Sequence, residues 1–127
     1  MLICKEVIGM QEIRSIALWG DSVMRGVVYD EQRGRYGLLP ENAADRASRT
    51  LGLTLYNRSR MGCTVTKGLS IMKRDIEAGV EPQAALIEFG GNDCDYDWKA
   101  ISEDPDGEHL PHTPSEQFID RYCTAIR

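Results

Sequence analysis

Several protein classes are set aside by what this 127-residue chain lacks. It has no run of about 18 apolar residues, so no helical membrane span is expected. It has no cluster of Lys and Arg with interleaved aromatics. With a net charge of -5 and a pI near 5.0, no nucleic-acid partner is expected either, since binding phosphates requires grouped cations. The four cysteines, Cys4, Cys63, Cys94 and Cys123, are scattered and form no Cys-x-x-Cys pair. They offer no zinc or redox pattern and read as free thiols. The opening "MLICKEVIGMQEI" lacks the apolar core and small-residue cleavage site of a secretory leader, and a cytoplasmic location is expected. There are no internal repeats or low-complexity tracts, and no Gly-x-Gly-x-x-Gly or P-loop follows the first strand candidate, which weighs against nucleotide binding. What remains is an ordinary globular composition, 42% hydrophobic and 28% charged, sized for one domain with a modest core.

Along the chain, strand and helix patterns alternate. Residues 14–19 (RSIALW) are a near-continuous apolar run, as expected of a strand buried on both faces. Residues 27–39, rich in Gly, Arg and Tyr, read as a loop. Pro40 opens a predicted helix, with Ala44, Ala47 and Leu51 on one face and Gly52 as its stop. Residues 53–57 (LTLYN) form a second strand. Residues 64–78 form a second helix, in which Leu69, Met72 and Ile76 recur at helical spacing and Gly68 is a weak point. Residues 84–89 (AALIEF) form a third strand, followed by a long acidic loop over residues 90–112. The last helix is expected at Thr113, with Pro114 in its first turn and Glu116 completing a capping box. Alternation of this kind predicts a parallel sheet with helices on both sides and a site outside the carboxyl ends of the strands.

Three strand ends are therefore the places to look. The first is Gly20-Asp21-Ser22. Glycine permits a tight turn, and a serine beside a helix N-terminus can act as a nucleophile if a base takes its proton. Taken alone, Asp21 or Ser22 reads as a helix cap. The second is "NRSRMG", where Gly62 offers a backbone N–H to an oxyanion or is simply a turn glycine. The third is "FGGND", where Asn92 brings a neutral amide donor in a turn-forming context.

Taken together and in this order, Gly-Asp-Ser, Asn-x-x-x-x-Gly and Gly-x-Asn-Asp resemble the SGNH (GDSL) hydrolase family over residues 16–93. The resemblance implies a three-layer α/β/α sandwich with a parallel, flavodoxin-like sheet, and a serine esterase or acylhydrolase activity that needs no cofactor or metal. The substrate it implies is a small-molecule or carbohydrate ester. It assigns the nucleophile to Ser22, the oxyanion hole to Ser22, Gly62 and Asn92, and supporting positions to Asp21 and Asp93. The alternative on the same fold is a non-catalytic module binding carbohydrate or a small anion.

The family's base is an Asp-x-x-His pair that follows further strands. Asp106-Gly107-Glu108-His109 has that spacing but its histidine lies only 16 positions past Asp93, and it is read as a chance match. The only other histidine is His112. The expectation is that the chain is the N-terminal part of a longer hydrolase whose later strands cover the apolar third strand and bring the base. Asp93, Asp95 and Asp97 alternate as in a calcium loop, but Trp98 stands where that loop needs glycine and Asp104 where it needs Glu, so no metal is expected. Tyr96 and Trp98 either flank the substrate or cover the core. Arg25 and Arg60 flank the site, and the sequence does not decide whether they face it.

Overall fold

The computed structural model describes residues 12–127; the leader reading of the first residues and Cys4 fall wholly or partly outside them. Strand β1 (Ser15–Trp19) is the centre of a three-stranded parallel sheet. It lies between β4 (Thr54–Asn57) and β5 (Ala84–Ile87), giving the order β4-β1-β5. The register sets Leu18 beside Asn57 and Trp19 beside Ile87, so all three carboxyl ends finish at one edge of the molecule. Beyond those ends the ladder continues: Arg58 N–H donates to the Leu18 carbonyl at 2.7 Å, and Glu88 N–H donates to the Trp19 carbonyl at 2.9 Å.

The apolar run of β1 is buried on both faces, as its composition requires. Ala17 and Trp19 point to one side, where they join Val65, Met72 and Phe89 in the core. Leu18, on the opposite face, is also buried. Helices α3 (Val65–Glu77) and α5 (Ser115–Ile126) pack against each other beside the core, and Phe118 and Tyr122 of α5 close it. Trp19 Nε1–H donates to Asp75 on α3 at 3.0 Å, fixing the helix to the sheet. Gly68 is what permits this packing. A Cβ there would lie 2.1 Å from the Phe89 ring, so the helix penalty of a glycine is offset by an aromatic seated on bare backbone.

β5 is a sheet edge, as expected. Because Glu88 N–H bonds towards β1, the Ile87 carbonyl one residue earlier points to the outer side. There it accepts a 2.9 Å hydrogen bond from the Tyr122 hydroxyl, so α5 satisfies part of that edge.

Several sequence expectations are corrected. Residues 27–39 are not a loop but an antiparallel hairpin of β2 (Val27–Asp30) and β3 (Arg35–Leu38). Asp30 Oδ1 accepts from the Gln32 and Arg33 N–H groups to shape its turn, and Tyr29 and Tyr36 meet edge-to-face across it at 5.3 Å. Helix α2 (Ala43–Leu51) starts after Asn42 rather than at Pro40, because Asn42 and Asp45 form a reciprocal capping box. The face of α2 that is buried carries Ser48, while Leu51 is exposed. Inside the long acidic segment a short helix, α4 (Trp98–Glu103), is capped by Asp97. Thr113 does not cap α5: its hydroxyl donates instead to Asp93, and α5 begins without a side-chain cap. Among the described residues no helix is long and apolar enough to cross a membrane.

Candidate active site

Four residues after β1 form α1 (Ser22–Arg25), with Asp21 as the N-cap accepting from Val23 N–H at 2.8 Å. Asp21 is thus the cap, and Ser22 is the first helical residue. Ser22 is half-buried, and its hydroxyl makes no hydrogen bond among the described residues. Its backbone N–H, at the first position of a helix, has no intrahelical acceptor. Gly20 is required by close approach, since a Cβ there would meet Glu88 Oε2 at 2.9 Å and the Glu88 carbonyl at 3.0 Å.

The turn after β4 is pinned to this one by Arg60 N–H, which donates to the Gly20 carbonyl at 3.0 Å. Gly62 sits in it with φ of 65°, a left-handed conformation that favours glycine. The Gly62 N–H bonds to nothing among the described residues. At the end of β5, the Asn92 amide donates to the Cys63 carbonyl at 3.1 Å and reaches Asp21 Oδ2 at 3.4 Å. One side chain from the third strand end therefore bridges the neighbours of Ser22 and of Gly62. Asp93, fully buried, fixes that turn from below. Both its carboxylate oxygens lie 3.0 Å from Val65 N–H at the start of α3, and Oδ1 accepts from the Thr113 hydroxyl at 2.7 Å.

Glu88 is a site residue the sequence reading passed over. Its Oε2 accepts from Asp21 N–H at 3.3 Å, bracing the turn that holds Ser22. Burial pushes its carboxyl above the ordinary value; the Asp21 N–H opposes this, and the nearby Asp21 carboxylate adds to it. A single acid in an otherwise apolar strand run was the available signal. A carboxyl held protonated to a higher pH in the fold favours folding below its ordinary range, and that contribution is lost as pH rises through the raised value. Glu88→Gln keeps an acceptor for Asp21 N–H and has no charge to lose. Its melting temperature relative to the parent should therefore climb as pH rises above the ordinary Glu value. A difference that stays flat as the pH is raised would contradict the assignment. Burial likewise pushes the Cys63 thiol up, with Lys67 drawing it down and the Asp93 and Asp21 charges adding to the rise.

The remaining sequence candidates lie apart. His109 Nε2 is 2.6 Å from the Asp104 carbonyl, and His112 Nδ1 is 3.2 Å from the Asn92 carbonyl. Among the described residues neither ring bonds to Ser22, and Asp106 does not bond to His109. The alternating aspartates are engaged internally. Asp95 accepts from Trp98 Nε1 and Tyr96 N–H, which together with His112 hold its carboxyl below the ordinary value, and Asp97 caps α4. Among the described residues no group of three His, Cys, Asp or Glu is arranged to hold a metal. Trp98 does not cover the core: it is 65% exposed and tilts against Tyr96. Cys63, Cys94 and Cys123 are free thiols. Arg25 and Arg60 both line one cleft beside the Ser22 turn.

A parallel β4-β1-β5 sheet flanked by helices, with its polar turns gathered at the strand carboxyl ends, defines an α/β fold of the SGNH-hydrolase type. Among the solved structures it resembles are those of an esterase. The crystal structure of AlinE4, an SGNH-hydrolase family esterase, superposes with a TM-score of 0.52 at 26% identity, over 68% of this chain and 44% of that one. An Asp-to-Ala variant of AlinE4 gives the same figures, and a Ser-to-Ala variant matches at 27% identity with the same TM-score and coverage. The match thus spans less than half the length of the esterase. No family model and no curated protein matches the chain.

Proposed function

We propose that this protein is a serine ester hydrolase working through an acyl-enzyme. The observation that best supports the reading is the bridge made by Asn92, which ties the Ser22 turn and the Gly62 turn together at adjacent strand ends. In this reading Ser22 Oγ attacks the ester carbonyl carbon and gives its proton to a base. The carbonyl oxygen becomes an oxyanion, and the tetrahedral intermediate collapses by expelling the alcohol. Water then releases the acid from Ser22 by the same steps.

The oxyanion is received by three donors: the N–H groups of Ser22 and Gly62 and the Asn92 amide. The two backbone donors bond to nothing among the described residues. The 3.4 Å contact of Asn92 with Asp21 is the weaker of its two and is the one an oxyanion replaces. Asp21 shapes the turn as a cap, and Asp93 positions Asn92. Neither His109 nor His112 is assigned as the base, since neither ring bonds to Ser22 among the described residues. The substrate class is a small-molecule ester.

The reading is tested with p-nitrophenyl butyrate. Asn92→Ala should lower kcat by about 10²–10³-fold with KM nearly unchanged, as expected for a donor used mainly in the transition state. A kcat equal to the parent's would refute the assigned oxyanion hole.

A further inference from the structure

Beside the Ser22 turn, the β2–β3 hairpin and the turn after β4 border an open cleft of about 300 Å³. Its walls combine two chemistries. Tyr36, Leu38 and Met61 present apolar surface that is largely exposed in the free protein. Arg25 and Arg60 supply two cations, and neither forms an ion pair among the described residues. Among the described residues the Arg25 guanidinium donates only to the Asn57 carbonyl, at 3.4 Å. Two unneutralised guanidinium groups in one cleft stand out in a chain of net charge -5.

The cleft also has the right position. Arg25 lies three residues after Ser22 on α1, on the same side of the helix, and side chains at that spacing start about 5–6 Å apart. Met61 adjoins Gly62. A group bonded to the ester carbonyl at Ser22 therefore needs only a few carbons to reach the arginines.

We propose that this cleft is an acyl-recognition pocket for short acyl groups ending in a carboxylate, the substrates being monoesters of small dicarboxylic acids. This rests on the reading of Ser22 as the nucleophile. The arginines take the carboxylate as planar, charge-assisted donors, and the methylenes lie against Leu38 and Met61.

The test has a binding arm and a kinetic arm. In the first, 4-phenylbutyrate and the neutral 4-phenylbutan-1-ol are titrated into the protein and followed by backbone amide shifts. The acid should bind about tenfold more tightly or better, with the largest shifts at Arg25, Ser59 and Arg60. Arg60→Met, at an exposed position, and Arg25→Met should each cut that preference to about threefold or less, and Ser22→Ala should leave it intact. Equal affinity for acid and alcohol, or shifts centred elsewhere, would overturn the proposal. In the second arm, 4-methylumbelliferyl hemisuccinate is compared with 4-methylumbelliferyl butyrate. The hemisuccinate should have the higher kcat/KM, and Arg60→Met should abolish the advantage. Turnover of the butyrate with no such advantage overturns the pocket's role. Acid-selective binding with neither ester turned over supports the anion site and refutes Ser22 as the nucleophile.

Discussion

Replacing Ser22 by alanine is expected to lower ester hydrolysis by a factor on the order of 10⁴ or more while leaving the fold intact. Both halves follow from where Ser22 sits. If its oxygen forms the covalent bond to the acyl group, no other group in the oxyanion site can replace it, and only residual catalysis by binding and electrostatics remains. Structurally, Ser22 is dispensable. The cap of α1 is Asp21, which accepts from Val23 N–H, and the Ser22 hydroxyl bonds to nothing among the described residues. Alanine is also a good helix former. Unfolding free energy should therefore change by no more than about 0.5 kcal/mol. Hydrolysis of p-nitrophenyl butyrate and a thermal melt on the same sample check the two halves. Loss of activity with a large drop in melting temperature would show a structural role instead.

Asp93→Ala should have the opposite character, a large loss of stability. The carboxylate is buried and takes Val65 N–H on both oxygens and the Thr113 hydroxyl on one, so it joins β5, α3 and the start of α5 at a single point. Its removal strands two buried donors, each costing about 1–3 kcal/mol when unsatisfied, and also leaves a cavity. A total of about 3 kcal/mol or more is expected, read as a drop of about 10 °C or more in melting temperature. Asp93→Asn keeps an acceptor for Val65 N–H and should lose roughly half as much. Activity should fall in parallel, since Asn92 is carried by the same turn. A melting temperature within about 2 °C of the parent would contradict this account.

The sequence was informative where local pattern and burial agree. The apolar run of β1 and the Leu69 and Met72 spacing in α3 correspond to structure, because each is a local signal reinforced by the core, whereas Ile76 of the same spacing is exposed. The three strand-end motifs were legible only as a set. Gly-Asp-Ser alone is a cap, and a cap is what Asp21 turns out to be; the proximity of Ser22, Gly62 and Asn92 depends on the order β4-β1-β5, a non-local property. The errors share a cause. Thr113 has an N-cap signature, but a buried carboxylate twenty residues earlier in the chain competes for its hydroxyl and wins. The hairpin was hidden because neither VVYD nor RYGL alternates cleanly, and its turn is stabilised by Asp30 rather than by an Asn-Gly pair. Glu88 reads as one charge in an apolar run until Gly20 is seen to lie against it.

The central claim is that Ser22 is an activated nucleophile, and a fluorophosphonate probe tests it most directly. The probe forms a stable bond only with a serine oxygen that can attack it, and peptide mass mapping then locates the adduct. The account predicts a single adduct on Ser22, lost in Ser22→Ala and diminished in Asn92→Ala. A folded protein that takes no label, or takes it on another serine such as Ser59, would contradict it.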